Sequence, residues 1–161
     1  MYKLLSWIAV FAWMGLIFYL SHQPAEESSE LSSGVAEVII TTVETVAPNV
    51  ELNIRDFHSI VRKNAHFFIY LGLGILVLNA IRSSGIKGKR SVGLALIICV
   101  LYAISDEVHQ LFVPGRSGEV MDVVIDGLGS SVGIGIFLIL EKLITRKRNL
   151  SKGRKVIRQV S

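Results

Sequence analysis

Long uncharged apolar runs alternate with polar blocks along this chain. The first run, 4–20, has 17 residues and no charge. As a helix rising ~1.5 Å per residue it reaches about 26 Å, enough to cross the hydrocarbon of a bilayer. Three further runs, 65–81, 92–113 and 121–140, share this character but carry polar residues toward one end. The pattern predicts an all-α integral membrane protein, a bundle of four transmembrane helices. Between the first two runs, Pro24 suits a first helical position, and Leu31, Val35, Val38, Ile39, Thr42 and Val46 then recur at steps of three and four. That spacing predicts an amphipathic outer helix over 24–47, packed on the spans or lying over them as a lid. Asn53, three residues before Asp56, reads as a helix start above the second span.

Composition narrows the class. With 161 residues, 51% apolar and 19% charged, and a mean hydropathy of +0.54, the chain is one membrane domain, 1–161. It is too short for a large transporter acting alone, a two-domain enzyme or a sizeable water-soluble core. The one cysteine, Cys99, has no internal disulfide partner and falls inside an apolar run, as a small buried hydrophobe. The first run reads as a span and not as a cleaved leader: Lys3 is its only preceding charge, the run exceeds a usual leader core, and Ser21, His22 and Gln23 make a poor cleavage site.

Charge gives the orientation. Of the 17 basic residues, 13 precede the first run, separate the second from the third, or follow the fourth; Arg55, Arg62, Lys63 and Arg116 lie on the opposite side. Basic loops stay cytoplasmic, so the asymmetry predicts an N-in/C-in topology. Twelve of the 13 acids fall on the outer side, Glu141 being the exception. The basic tail, 142–161, lacks apolar periodicity and suits a disordered arm drawn to anionic lipid at about 1 kcal/mol per basic residue. Nucleic acid is not an expected partner.

Candidate chemistry lies in the polar residues that interrupt the runs. A charge at the centre of a span costs about 2.5–3.5 kcal/mol on insertion scales, so Asp106, Glu107, Asp122 and Asp126 require partners, water or a task. Helical spacing puts Arg62, His66 and Tyr70 on one face of the second span, with Lys63 beside them. Asp106, His109 and Gln110 share a face of the third, and Glu107 is turned about 100° away. Asp122, Asp126, Gly129 and Gly133 form one stripe of the fourth. Asp106 falls about 12 Å below Pro114, and Asp126 about 8 Å below Met121. Three helices thus deliver these side chains to one level in the outer leaflet, and the glycines allow close approach. Pro114 and Gly115 signal a tight turn that brings Arg116 to the mouth, near the positive end of the fourth helix, where a phosphate or carboxylate would bind.

These placements nominate roles. Asp106 with His109 at i, i+3 is the most suggestive acid–base pair, and His66 is a further candidate for proton transfer. Arg62, Lys63, Tyr70, Glu107, Gln110, Arg116, Asp122 and Asp126 are the candidate substrate-binding residues. A divalent cation on Asp106, His109, Asp122 and Asp126 would suit the mixture of carboxylate and imidazole. Plainer readings stand beside these: His66 as a helix-end residue, Tyr70 as an interfacial aromatic, and the whole set as a structural ion-pair network. The sequence contains no Gly-rich phosphate loop, HExxH zinc helix, CxxC pair or GxSxG elbow.

The string Arg62, Lys63, Asn64, Ala65, His66, Phe67, Phe68 and Tyr70, then Ser105 to Arg116, then Asp122, Asp126 and Gly129, resembles the VanZ-like family of small bacterial membrane proteins. Ser21, Gln23 and Ser28 also resemble that family's pattern after the first span, and the likeness extends from Leu4 to Leu140. It implies a multi-pass protein of the bacterial cell membrane with a role at the envelope and in resistance to the glycopeptide teicoplanin. Two functions fit the residues together with this resemblance. One is an outward polar pocket that binds, and acts on, an anionic lipid or lipid-linked cell-wall intermediate. The other is a non-catalytic scaffold or shield whose polar residues only hold helices together.

Overall fold

Each apolar run forms a helix. The computed structural model describes residues 1–23, 54–116 and 118–160, and in them lie α1 (Tyr2–Ser21), α2 (Ile54–Ser83), α3 (Lys89–Gln110) and α4 (Val120–Val160). No strand occurs among the described residues. All four helices contain a stretch long and apolar enough to cross a membrane: Tyr2–Ser21, Ile60–Ser83, Lys89–Gln110 and Val120–Lys147. The expected outer helix, 24–47, lies outside the described residues. α2 starts at Ile54, ahead of its apolar stretch, as the sequence predicts.

Two boundaries differ from expectation. The third run continues to Val113, but α3 stops at Gln110 because Leu111 to Arg116 fold into turns, with Phe112 N–H on His109 O at 3.0 Å, Val113 N–H on Gln110 O at 3.0 Å and Arg116 N–H on Val113 O at 3.2 Å. Pro114 has no N–H to continue the helix, and Gly115 takes φ +75°, a left-handed conformation that favours glycine. The basic tail is the second difference. It is not the expected disordered arm: α4 continues through it to Val160. Leu, Lys, Arg and Gln are good helix formers, no proline intervenes, and basic residues are favoured at a helix C-terminal end.

The packing is inside-out by the standard of a water-soluble protein. Leu4, Phe11, Phe18, Leu101 and Leu128 are exposed, whereas Asp106, Gln110, Asp126 and Ser130 are buried. Surroundings as apolar as those exposed faces make the arrangement stable, and inside the bundle the polar groups can find one another. α2 touches each of the other three helices. Val10, Ile17, Leu73, Val77, Leu78 and Cys99 fill the space around it, Cys99 as the expected buried hydrophobe. Aromatic donors tie the helices together: Trp13 Nε1 donates to Ile69 O at 2.9 Å and Tyr102 OH to Met14 O at 2.6 Å.

The α2–α4 contact is backbone against backbone. A β-carbon on Gly129 would collide with the carbonyl of Phe67, and one on Gly133 with the carbonyl of Leu71; from the other side, a β-carbon on Gly74 would meet the carbonyl of Ser130. This is the close approach that small residues at four-residue spacing permit in membranes. At one end of the bundle Tyr2 OH donates to Asn79 Oδ1 at 3.0 Å, Trp7 Nε1 donates to Ser84 Oγ at 3.0 Å, and Arg82 pairs with Glu141. The start of α1 and the exit of α4 therefore share an end, and the acids Asp106 and Asp126 lie toward the other.

Candidate functional site

Four helices contribute to one polar layer. Ser21 ends α1; Lys63, His66 and Tyr70 face inward from successive turns of α2; Asp106, Glu107 and Gln110 close α3; Asp122 and Asp126 open α4. The predicted meeting of three helices at one level is observed, and α1 joins them as a fourth. Glycine packing sets the registry: Gly129 lies against Phe67, which brings Asp126, one turn earlier on α4, beside His66.

The layer divides into two parts. In the first, the polar groups are wired to one another. Lys63 Nζ donates to Glu119 Oε2 at 3.0 Å and lies 3.5 Å from Asp122 Oδ1, an ion pair without a hydrogen bond. Glu107 Oε1 accepts the Glu119 backbone N–H at 2.6 Å, and its other oxygen accepts Gln110 Nε2 at 3.4 Å. Arg116 donates through Nη1 to Gln110 Oε1 at 3.1 Å, through Nε to Gln23 O at 3.0 Å and through Nη2 to Leu20 O at 3.4 Å. Its fork thus satisfies carbonyls at the C-terminal end of α1, groups that a helix leaves without partners. Burial, followed by the positive charge of Arg62, lowers the Arg116 pKa from its ordinary value. Arg116 is therefore turned inward as a latch on α1, where the sequence placed it at the mouth of a pocket.

The second part is not wired. Asp106, 3% exposed, accepts on Oδ2 from Ser21 Oγ at 2.9 Å and from Tyr70 OH at 3.3 Å, while its Oδ1 has no partner. Asp126, 1% exposed, has no hydrogen bond at either oxygen, and His66 Nδ1, 3.6 Å from Asp126 Oδ2, has none. Burying unpartnered polar atoms costs about 1–3 kcal/mol each, more when charged, so their concentration at one point needs an explanation beyond packing.

The expected Asp106–His109 pairing is replaced by others. His109 Nε2 lies 3.1 Å from His22 Nδ1, and the ring stacks on Phe18 at 4.4 Å between centroids. Three residues along a helix turn a side chain by about 300°, enough for Asp106 to enter the bundle while His109 faces α1. His66 takes the place beside Asp106 and Asp126. Asp122, named with them for a cation, is drawn instead toward Lys63. Ser21 and His22 were not singled out from sequence for these contacts; the signal was available, since they are the first polar residues after an apolar run and so share the depth of the acids. Arg62, on α2, is half-buried.

A small cavity of about 10 Å³ between α1 and α2, lined by Ile17, Leu20, Ser21, His66, Ile69 and Tyr70, borders this layer. Residues 6–141 match the family model described as VanZ/LLP1, a stretch that contains every residue named in the layer. No curated protein and no solved structure matches the chain.

Proposed function

The chain belongs to the VanZ/LLP1 family, and from that premise we propose that its polar layer binds the headgroup of an anionic lipid or lipid-linked cell-wall intermediate and acts on it at the outer side of the cell membrane, contributing to glycopeptide resistance. The observation that supports this reading is the buried cluster in which Asp106 Oδ1, both oxygens of Asp126 and His66 Nδ1 find no partner within the protein. Tyr70 and Ser21 hold Asp106 in position, and Asp106, Asp126 and His66 are the groups proposed to work on the headgroup. The test is a mass-spectrometric comparison of lipids and lipid-linked precursors in cells with and without the protein, read beside teicoplanin susceptibility. One species should change in amount or in headgroup; identical profiles with altered susceptibility would remove the lipid from the proposal.

A second reading, a non-catalytic scaffold, draws on the wired part of the layer, since Lys63, Glu107, Gln110, Arg116 and Glu119 spend their polar atoms on joining helices and loop. The unpartnered acids favour the first reading, because a scaffold gains nothing from them.

Both readings use the orientation proposed from the basic residues, with the termini in the cytoplasm. In a Cys99→Ser background, Ser28→Cys should react with an impermeant maleimide added to intact cells, and Lys87→Cys only after permeabilisation. The reverse pattern turns the polar layer toward the cytoplasm and ends the outward-facing proposal.

A further inference from the structure

Asp106, Asp126 and His66 form an acid-rich cluster whose charge its neighbours leave uncompensated. With a neutral imidazole and both carboxyls ionised, the cluster would hold two negative charges at 3% and 1% exposure. The basic residues closest to them are engaged elsewhere: Lys63 with Glu119 and Asp122, and Arg116 with Gln110 and the end of α1. Charges this deep need a counter-charge among their direct contacts.

We propose that His66, Asp106 and Asp126 form a divalent-cation site. One ligand atom from each residue lies within 4.8 Å of the other two. The 3.6 Å between His66 Nδ1 and Asp126 Oδ2 is too long for a hydrogen bond. It is the right spacing for two donors on one ion, since bonds of about 2.0–2.2 Å at tetrahedral angles separate donors by about 3.3–3.6 Å. Asp106 is prepared in the same sense. Ser21 and Tyr70 hold its Oδ2 and leave the buried Oδ1 without a partner, as outer hydrogen bonds position a metal-bound carboxylate. A doubly charged ion would cancel the two carboxylates and take one donor from each of three side chains whose buried atoms lack partners: His66 Nδ1, Asp106 Oδ1 and an oxygen of Asp126.

The donor set selects the ion. One imidazole with two carboxylates suits Zn²⁺, Mn²⁺ or Fe²⁺ better than Ca²⁺ or Mg²⁺, which take oxygen ligands. Three protein ligands leave a position open, and His66 lines the small cavity between α1 and α2. The ion would there bind a phosphate oxygen and give an acid-rich layer the positive charge that an anionic headgroup requires. Only this bridging role rests on the lipid reading; the ion site stands on its three ligands.

The test uses the full chain purified in detergent, stripped with a chelator, reloaded with Zn²⁺ or Mn²⁺ and desalted, with bound metal counted by mass spectrometry. One ion per chain should be retained. His66→Gln and Asp126→Asn should each weaken retention at least about tenfold, while the double variant His22→Gln/His109→Gln, which removes the exposed imidazole pair, should retain it. No ion on folded wild-type protein, or retention lost only in the His22/His109 variant, overturns the proposal. If the cluster variants fail to accumulate, Co²⁺-loaded wild type decides: an intense visible band of four- or five-coordinate cobalt supports the site, and a pale aqua-like spectrum overturns it. No lipid substrate is present in these measurements, so the ion site and the lipid reading can fail separately.

Discussion

Gly133→Ala should lower the melting temperature of the protein in detergent, while the same change at Gly135, two residues along the helix, should leave it unchanged or raise it. The two sites differ in what a methyl group meets. At Gly133 a β-carbon collides with the backbone carbonyl of Leu71, which cannot rotate away as a side chain could, so α2 and α4 must separate. Overpacking of this kind costs about 1–3 kcal/mol. Gly135 has nothing within 4 Å of that position, so only the propensity gain of about 0.5–1 kcal/mol for alanine over glycine acts there. Gly129→Ala should behave like Gly133→Ala, because its β-carbon meets the carbonyl of Phe67. The fluorescence of Trp7 and Trp13 gives the readout. A Gly133→Ala protein that melts with the wild type would mean that the two backbones are not in contact. The function of Gly133→Ala should fall as well, since the same contact sets the spacing between His66 and Asp126.

The helices and this glycine contact were legible in the sequence because both depend on residue type and spacing along one chain. An uncharged run long enough to cross hydrocarbon has few other uses, and Gly129 with Gly133 is a four-residue repeat on one face. The turn at Pro114 and Gly115 was legible for the same reason. Partners across helices were not. Periodicity placed Asp106 and His109 as neighbours, yet the groups bonded to Asp106 are Ser21 and Tyr70 from other helices. Which side chains meet across a bundle depends on helix rotation and registry, and these are set by packing such as Gly129 on Phe67. Arg116 shows a second limit. Its place after the Pro-Gly turn was readable, but the direction of its fork was decided by the carbonyls of Leu20 and Gln23, acceptors that belong to every sequence and so leave no mark in this one. The tail shows a third: lack of apolar periodicity argues against a buried face and says little about helicity, which charged residues can sustain.

Asp106→Asn and Arg116→Lys should both impair function, but by different routes, and the difference separates an acting site from a structural network. Asparagine matches aspartate in shape, and its carbonyl oxygen can accept from Ser21 and Tyr70 as Asp106 Oδ2 does at 2.9 and 3.3 Å. It removes a charge whose other oxygen has no partner, so stability should hold or rise. Activity on a headgroup should nevertheless fall by about 10²–10⁴-fold if the carboxylate moves a proton, and at least as far if it holds an ion. Lysine at 116 has one terminal nitrogen for three acceptors on Gln110, Gln23 and Leu20. It cannot copy the planar fork, and the carbonyls released at the end of α1 should cost about 1–3 kcal/mol. For Arg116→Lys, melting temperature, membrane abundance and teicoplanin resistance should therefore decline together, whereas for Asp106→Asn resistance should be lost at normal abundance and melting. The comparison requires all three measurements on each variant. A structural network predicts parallel losses in both proteins, or a mild phenotype for Asp106→Asn. Full resistance in Asp106→Asn would deny the carboxylate any task, because the substitution takes away its charge while keeping every hydrogen bond that the folded protein makes to it.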